Sequence, residues 1–149
     1  MAQLCTTVEQ SIFLKECGID LSTADMCWIC IEGQPPSFYS LSYDQAKANR
    51  MTVDSFLIDV ARKHSPDALT PAWSQEALYR LLPNIRKDGH TYIPVIFIRE
   101  GKGYCHYVND NIPVPILRFD GESMVEAIFK MVFYCISNGY IEKTSSSDE

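Results

Sequence analysis

The sequence predicts an α+β domain, a three-stranded antiparallel sheet packed with about four helices, with a hairpin added near the N-terminus. Three observations carry that expectation. Two apolar runs, Tyr92–Arg99 and Tyr104–Asn109, flank Glu100-Gly-Lys-Gly103, whose glycines supply the positive φ that a tight hairpin needs. A stripe of Val125, Ile128, Phe129, Val132 and Ile136 recurs at helical spacing near the C-terminus. At the other end, Thr7-Val-Glu-Gln10 has the spacing of a capping box, in which Thr and Gln satisfy two orphan backbone groups reciprocally.

The first helix should continue from that cap through Val8, Ile12, Phe13 and Leu14 and close at Gly18. Ser22-Thr-Ala-Asp25 reads as a second cap or a turn. Met26–Ile31 is apolar at both parities, and its short length together with the breaker Gly33-Gln-Pro-Pro36 favours a strand. Phe38–Ser42 alternates like a returning strand, giving a hairpin near 26–42. A helix over 52–64 follows from Phe56, Leu57, Val60 and Ala61, and Ser65-Pro66 stops it. Thr70-Pro71 resembles a cap followed by proline at the first helical position, so a helix is expected over 71–82.

The sheet itself is expected between residues 92 and 119. Strand Tyr92–Arg99 is apolar on both parities, the pattern of a strand covered on both faces. Val114–Phe119, with prolines at 113 and 115, suits an edge strand. The last helix should open near Asp120 or Gly121, run to Asn138 and close on Gly139. Met124, Met131 and Cys135 widen its apolar stripe. It is therefore buried nearly all round, or it completes its burial against a second copy of the chain in a homodimer. Residues 1–143 are expected to form one domain and 144–149 a disordered tail.

Composition narrows the function classes. The 149 residues carry a net charge of −6, which opposes a nucleic-acid footprint. The charge is uneven: −5 over residues 1–79, +3 over 80–102 and −4 over 103–149. The longest apolar runs are six residues, well short of the roughly twenty of a membrane helix. The start of the chain lacks a basic region before its first apolar stretch, so six reduced cysteines in a cytoplasm are expected rather than a disulfide framework.

Cys27-Trp-Ile-Cys30 is the one local motif with metal or redox spacing. Zinc needs two further ligands, for which Cys5 with Cys17, or Cys105 with His106, are the candidates, yet neither pair has the spacing of a second ligand motif. A redox pair belongs at a helix N-terminus, whereas this motif leads into Ile31-Glu-Gly-Gln-Pro-Pro36. Cys105 and His106 are neighbours in a strand, so their side chains diverge and cannot act as a dyad. The sequence contains no nucleophile elbow, glycine-rich phosphate loop, zinc-protease helix or calcium loop. No catalytic residue and no cofactor is therefore assigned. The surplus is aromatic: Trp28, Trp73, Tyr79, Tyr104 and Tyr107, with Arg86 nearby, are the types that dominate interface hot spots, and they stand as candidate binding residues.

Three blocks also resemble a family. Thr7-Val-Glu-Gln-Ser11 with Gly18-Ile-Asp20, Thr23-Ala-Asp-Met26 and Trp28 form the first. Pro71-Ala-Trp-Ser74, Ala77-Leu78 and Leu81-Leu-Pro83 form the second, and Glu126–Met131 with Asn138-Gly-Tyr-Ile141 the third. Together they are similar to small uncharacterised proteins of prophages and integrative elements in gut-type Bacteroidetes bacteria. The resemblance implies an accessory role in a bacterial cytoplasm and carries over no catalytic residue. The function expected is a non-enzymatic interaction module for a host or phage protein, with a thiol- or zinc-dependent protein built on Cys27 and Cys30 as the alternative.

Overall fold

A computed structural model describes residues 3–30, 33, 35–39 and 69–142. Backbone proximity divides the chain into two compact units, one of Cys5–Ala77 with Thr144–Glu149, the other of Met1–Leu4 with Leu78–Lys143. The helix expected over 52–64 lies outside the described residues.

In the first unit, helix α1 (Val8–Glu16) starts as its cap dictates. Thr7 accepts from the Gln10 amide, and the Gln10 side chain accepts from the Thr7 amide. Gly18, at φ 81°, lets the chain leave with the Ile19 amide bonded to the Leu14 carbonyl. Asp20 then caps a short 3-10 turn at Leu21–Thr23. Strands β1 (Met26–Ile29), β2 (Ser37–Tyr39) and β3 (Leu69–Ala72) form an antiparallel sheet in the order β2-β1-β3. Met26–Ile29 of the apolar run is thus a strand, as the run's length suggested.

One buried hydroxyl ties this unit together. Thr6 Oγ1 lies 2.7 Å from Ser11 Oγ of α1 and accepts from the Trp73 amide. The Thr6 carbonyl accepts from Trp28 Nε1 of β1, and the Thr6 amide donates to the Trp73 carbonyl. A helix, a central strand and the exit of β3 thereby share one residue that water does not reach.

The helix expected over 71–82 is a correction. Thr70 and Pro71 lie in β3, opposite Trp28 and Cys27. β3 is an edge of its sheet, where the missing proline N–H costs no ladder bond. The cap chemistry occurs slightly later: Ser74 Oγ accepts from the Ala77 amide and opens α2 (Gln75–Tyr79), while Asp25 receives the Ser74 amide and hydroxyl.

The second unit is a four-stranded antiparallel sheet in the order β4-β5-β6-β7: β4 (Ile85–Lys87), β5 (His90–Arg99), β6 (Lys102–Asn109) and β7 (Ile112–Gly121). It curls into half a barrel. Two-residue turns join its first three strands. Asp88-Gly89 and Glu100-Gly101 both have positive φ, 53° and 79° in each turn, the mirror-image turn that matches strand twist. Between Tyr107↔Leu117 and Asn109↔Ile112 the register shifts, so β7 carries extra residues around Pro113 and Pro115, which cannot donate to a ladder.

Helix α3 (Met124–Ser137) covers one face of this sheet. Its cap Ser123 accepts from the Glu126 amide, and Gly139 closes it with the Tyr140 amide on the Cys135 carbonyl. The face beneath it holds Tyr92, Pro94, Cys105 and Tyr107, all buried. Gly103 and Gly121 pair across β6 and β7 directly under the first turn of α3. A Cβ on Gly103 would stand 2.6 Å from Met124 Cα, and one on Gly121 would stand 2.8 Å from Glu126 Cβ.

The expected fold class is therefore corrected. The chain is mostly β, with two antiparallel sheets of three and four strands and, among the described residues, three α-helices. One sheet of three strands under four helices does not occur. The two errors have the same origin: proline and turn signals that serve an edge strand and a hairpin also serve a helix start and a loop. Strand β5 is also covered on one face only, since Ile93, on the face away from α3, is 43% exposed.

The glycine pair sets a clear test. Gly103→Ala pushes a methyl into the α3 backbone and is expected to cost about 2 kcal/mol or more, the upper part of the overpacking range. Urea unfolding of the parent and of the variant measures it.

Candidate surface on the outer face of the sheet

Side chains on a strand alternate, so the register of β5, β6 and β7 sorts them into two sets. Opposite the α3-covered face lie Ile93, Val95, Phe97 and Arg99 of β5. Lys102, Tyr104 and His106 of β6 and Arg118 and Asp120 of β7 share that side, because the paired residues are Phe97↔Tyr104, Val95↔His106, His106↔Arg118 and Tyr104↔Asp120. This outer face holds a cleft of about 260 Å³ lined by Phe97, Arg99, Tyr104, His106, Arg118, Phe119 and Asp120.

The rings in the cleft are ordered. Phe97 and Tyr104 stack with centroids 5.1 Å apart and planes 7° from parallel. His106 meets the Phe97 ring edge-on at 4.9 Å and 85°. Burial, then the positive charges of Arg118 and Arg99, hold the His106 pKa below its usual value, so the imidazole is neutral near pH 7. Arg99 and Arg118 are exposed, and among the described residues neither takes part in an ion pair. The chemistry on offer is two free guanidinium groups, able to grip carboxylates bidentately, beside an aromatic platform.

The residues singled out from the sequence are spread over both units. Trp73 is fully buried, its Nε1 donating to Thr23 Oγ1. Trp28 is half-buried, bonded to Thr6 and edge-on to Phe38 at 5.2 Å. In the second unit, Tyr107 is fully buried under α3 and donates to the Pro83 carbonyl, and Tyr79 donates to the Pro94 carbonyl. Arg86 is exposed and donates to Thr91 Oγ1. Tyr104 alone of the six lines the cleft. Phe97, Arg118 and Asp120 were not singled out. The face shared by Phe97, Tyr104 and His106 becomes readable once the turn is set at Glu100-Gly101, because each β5–β6 pairing from Arg99↔Lys102 follows from it, whereas Arg118 and Asp120 join it only through the shifted register of β7.

The sulfur chemistry is placed elsewhere. Cys27 is buried in β1 and Cys30 lies just beyond that strand, while Cys105 and His106 belong to the other unit and point to opposite faces of β6. Among the described residues no three His, Cys, Asp or Glu side chains gather at a common point. None of the six cysteines is in a disulfide. Burial raises the Cys27 pKa to about 11, and burial with the nearby Cys135 raises that of Cys105 to about 12. Such groups stay protonated and weakly nucleophilic.

The His106 environment gives a pH signature. Its folded pKa is depressed, so the unfolded chain binds the proton first and the fold loses stability as pH falls below the usual 6.5. Between about pH 7.5 and about pH 5, the melting temperature of the parent should fall more than that of His106→Gln, as followed by circular dichroism.

Comparison with protein-family models, curated proteins and solved structures finds no match for this chain.

Proposed function

We propose that the chain is a non-enzymatic protein-interaction module whose binding surface is the outer face of the four-stranded sheet, and that it takes an acidic segment of its partner. The observation that carries this reading is the pair Arg99 and Arg118, both without an ion pair among the described residues, flanking a neutral imidazole and a stacked aromatic pair. Solvated carboxylates on a partner would replace water at two guanidinium groups without first breaking an internal salt bridge. The net charge of −6 opposes a nucleic-acid footprint and so favours the carboxylates of a protein over the phosphates of a nucleic acid. No described helix is long and apolar enough to cross a membrane. The resemblance to prophage and integrative-element proteins supports a host or phage protein as the partner and the bacterial cytoplasm as the setting.

A second copy is the other partner favoured by a specific feature. A groove of about 370 Å³ along α3 is lined by Phe119, Phe129, Lys130, Phe133, Tyr134 and Ser137, with Phe133 47% exposed. Sedimentation velocity over a concentration series checks it: the parent should dimerise and Phe133→Glu should not, whereas a parent that stays monomeric removes this reading.

The principal reading is tested with an acetylated octaglutamate peptide, using octalysine as control. The parent should bind octaglutamate only, more weakly as salt rises. The double variant Arg99→Ala, Arg118→Ala should lose roughly tenfold or more in affinity, the scale of one to two charge-assisted bonds. Equal binding by parent and double variant in calorimetry would remove the arginines from the role given to them.

A further inference from the structure

The two borders of the four-stranded sheet are unlike. Along β7, Pro113 and Pro115 interrupt the backbone donors, and farther on the Asp120 carbonyl accepts from Lys130 Nζ at 2.7 Å. On the other side, β4 is three residues long and pairs only with His90–Tyr92. From Ile93 to Arg99, β5 runs along the border with no neighbouring strand among the described residues.

The register decides which backbone groups face outward there. A two-residue hairpin closes on a pair that exchanges both hydrogen bonds, and direction alternates from that point. Counting from Lys87↔His90, residues 90 and 92 turn toward β4. Counting from Arg99↔Lys102, residues 99, 97, 95 and 93 turn toward β6. The two counts agree, so Pro94, Ile96 and Ile98 turn to the border. Pro94 has no N–H to leave open, and its carbonyl is taken by the Tyr79 hydroxyl at 2.6 Å. Ile96 and Ile98 have no hydrogen-bond partner on that side among the described residues, and Ile98 is 70% exposed.

We infer that the acidic segment docks as an extended strand on this border, exchanging backbone hydrogen bonds with Ile96 and Ile98. The inference rests on the reading of the outer face given above and specifies the shape of its ligand. Residues of the added strand opposite Phe97 and Arg99 fall on the outer face. Carboxylates there meet a surface bearing Arg99, Lys102 and Arg118, with Asp120 beside them. Residues opposite Ile96 and Ile98 fall on the other face, where apolar side chains cover Ile98. The ligand is therefore a segment that alternates acidic and apolar residues, and its apolar positions supply the backbone groups that pair with β5.

The test uses an acetylated peptide of four Glu-Val repeats, its Lys-Val counterpart, and two versions N-methylated at either the valine or the glutamate amides. Hydrogen exchange by NMR should show Ile96 and Ile98 amides exchanging rapidly in the free protein and slowed by the Glu-Val peptide. Methylated valine amides should cost roughly tenfold or more in affinity, while methylated glutamate amides leave binding intact. Binding that still depends on Arg99 and Arg118 but ignores both methylation patterns, with Ile96 and Ile98 unchanged, overturns strand docking and leaves the outer-face reading standing. Failure of the Glu-Val peptide to bind where octaglutamate binds overturns strand docking alone, and failure of both peptides removes both readings. Protection of Ile96 and Ile98 in the free monomer, or appearing only as protein concentration rises, assigns the border to the chain itself or to a second copy and overturns the inference.

Discussion

The contact on which the second unit depends is the seating of α3 on a pair of facing glycines. Gly103 and Gly121 remove two side chains from adjacent strands at the place where Ser123 starts the helix. The helix axis thereby drops onto the sheet, and Val125, Ala127, Ile128, Met131, Val132 and Cys135 reach full burial over Cys105 and Tyr107. Neither glycine serves a turn. Each is where it is because the space a Cβ needs is already filled by the backbone or first-turn side chain of α3. The seating also gives the sheet its sides. The face under α3 is closed, and the charged and aromatic side chains are left together on the other.

That division explains why the outer face has the character of a binding surface. A sheet covered on one side normally presents polar residues on the other. Here the exposed parity carries Ile93, Phe97 and Tyr104 along with Arg99 and Arg118. The stacked rings exclude water from one side of His106, and the two guanidinium groups oppose its protonation. The thiols are the opposite case: buried, protonated and packed as small hydrophobes, they contribute volume rather than reactivity.

Much of this was legible in the residues. The capping box at Thr7, the closures at Gly18 and Gly139, the strand at 26–29 and the last helix all follow from local chemistry that tertiary packing did not override. Two local signals misled. Thr70-Pro71 imitates a helix start, yet the cap is Ser74, and proline is tolerated because β3 is an edge. The stretch Glu100–Gly103 contains two glycines with different tasks: Gly101 turns the chain and Gly103 admits a helix. Assigning both to the turn hides the register and with it the face shared by Phe97, Tyr104, His106 and Arg118. Asp88-Gly89 was an available hairpin signal for the fourth strand. The grouping of the cleft residues needed β7, whose register is offset by its prolines and is not deducible from alternation alone.

The placement of the two indoles has a practical consequence. The chain has two tryptophans, both in the first unit, one held by the Thr6 carbonyl and the other by the Thr23 hydroxyl, whereas the four-stranded sheet carries tyrosines only. Light absorbed at the red edge of the indole band therefore illuminates one half of the polypeptide and leaves the other dark. Indole emission thus follows the melting of the first unit by itself, without any label.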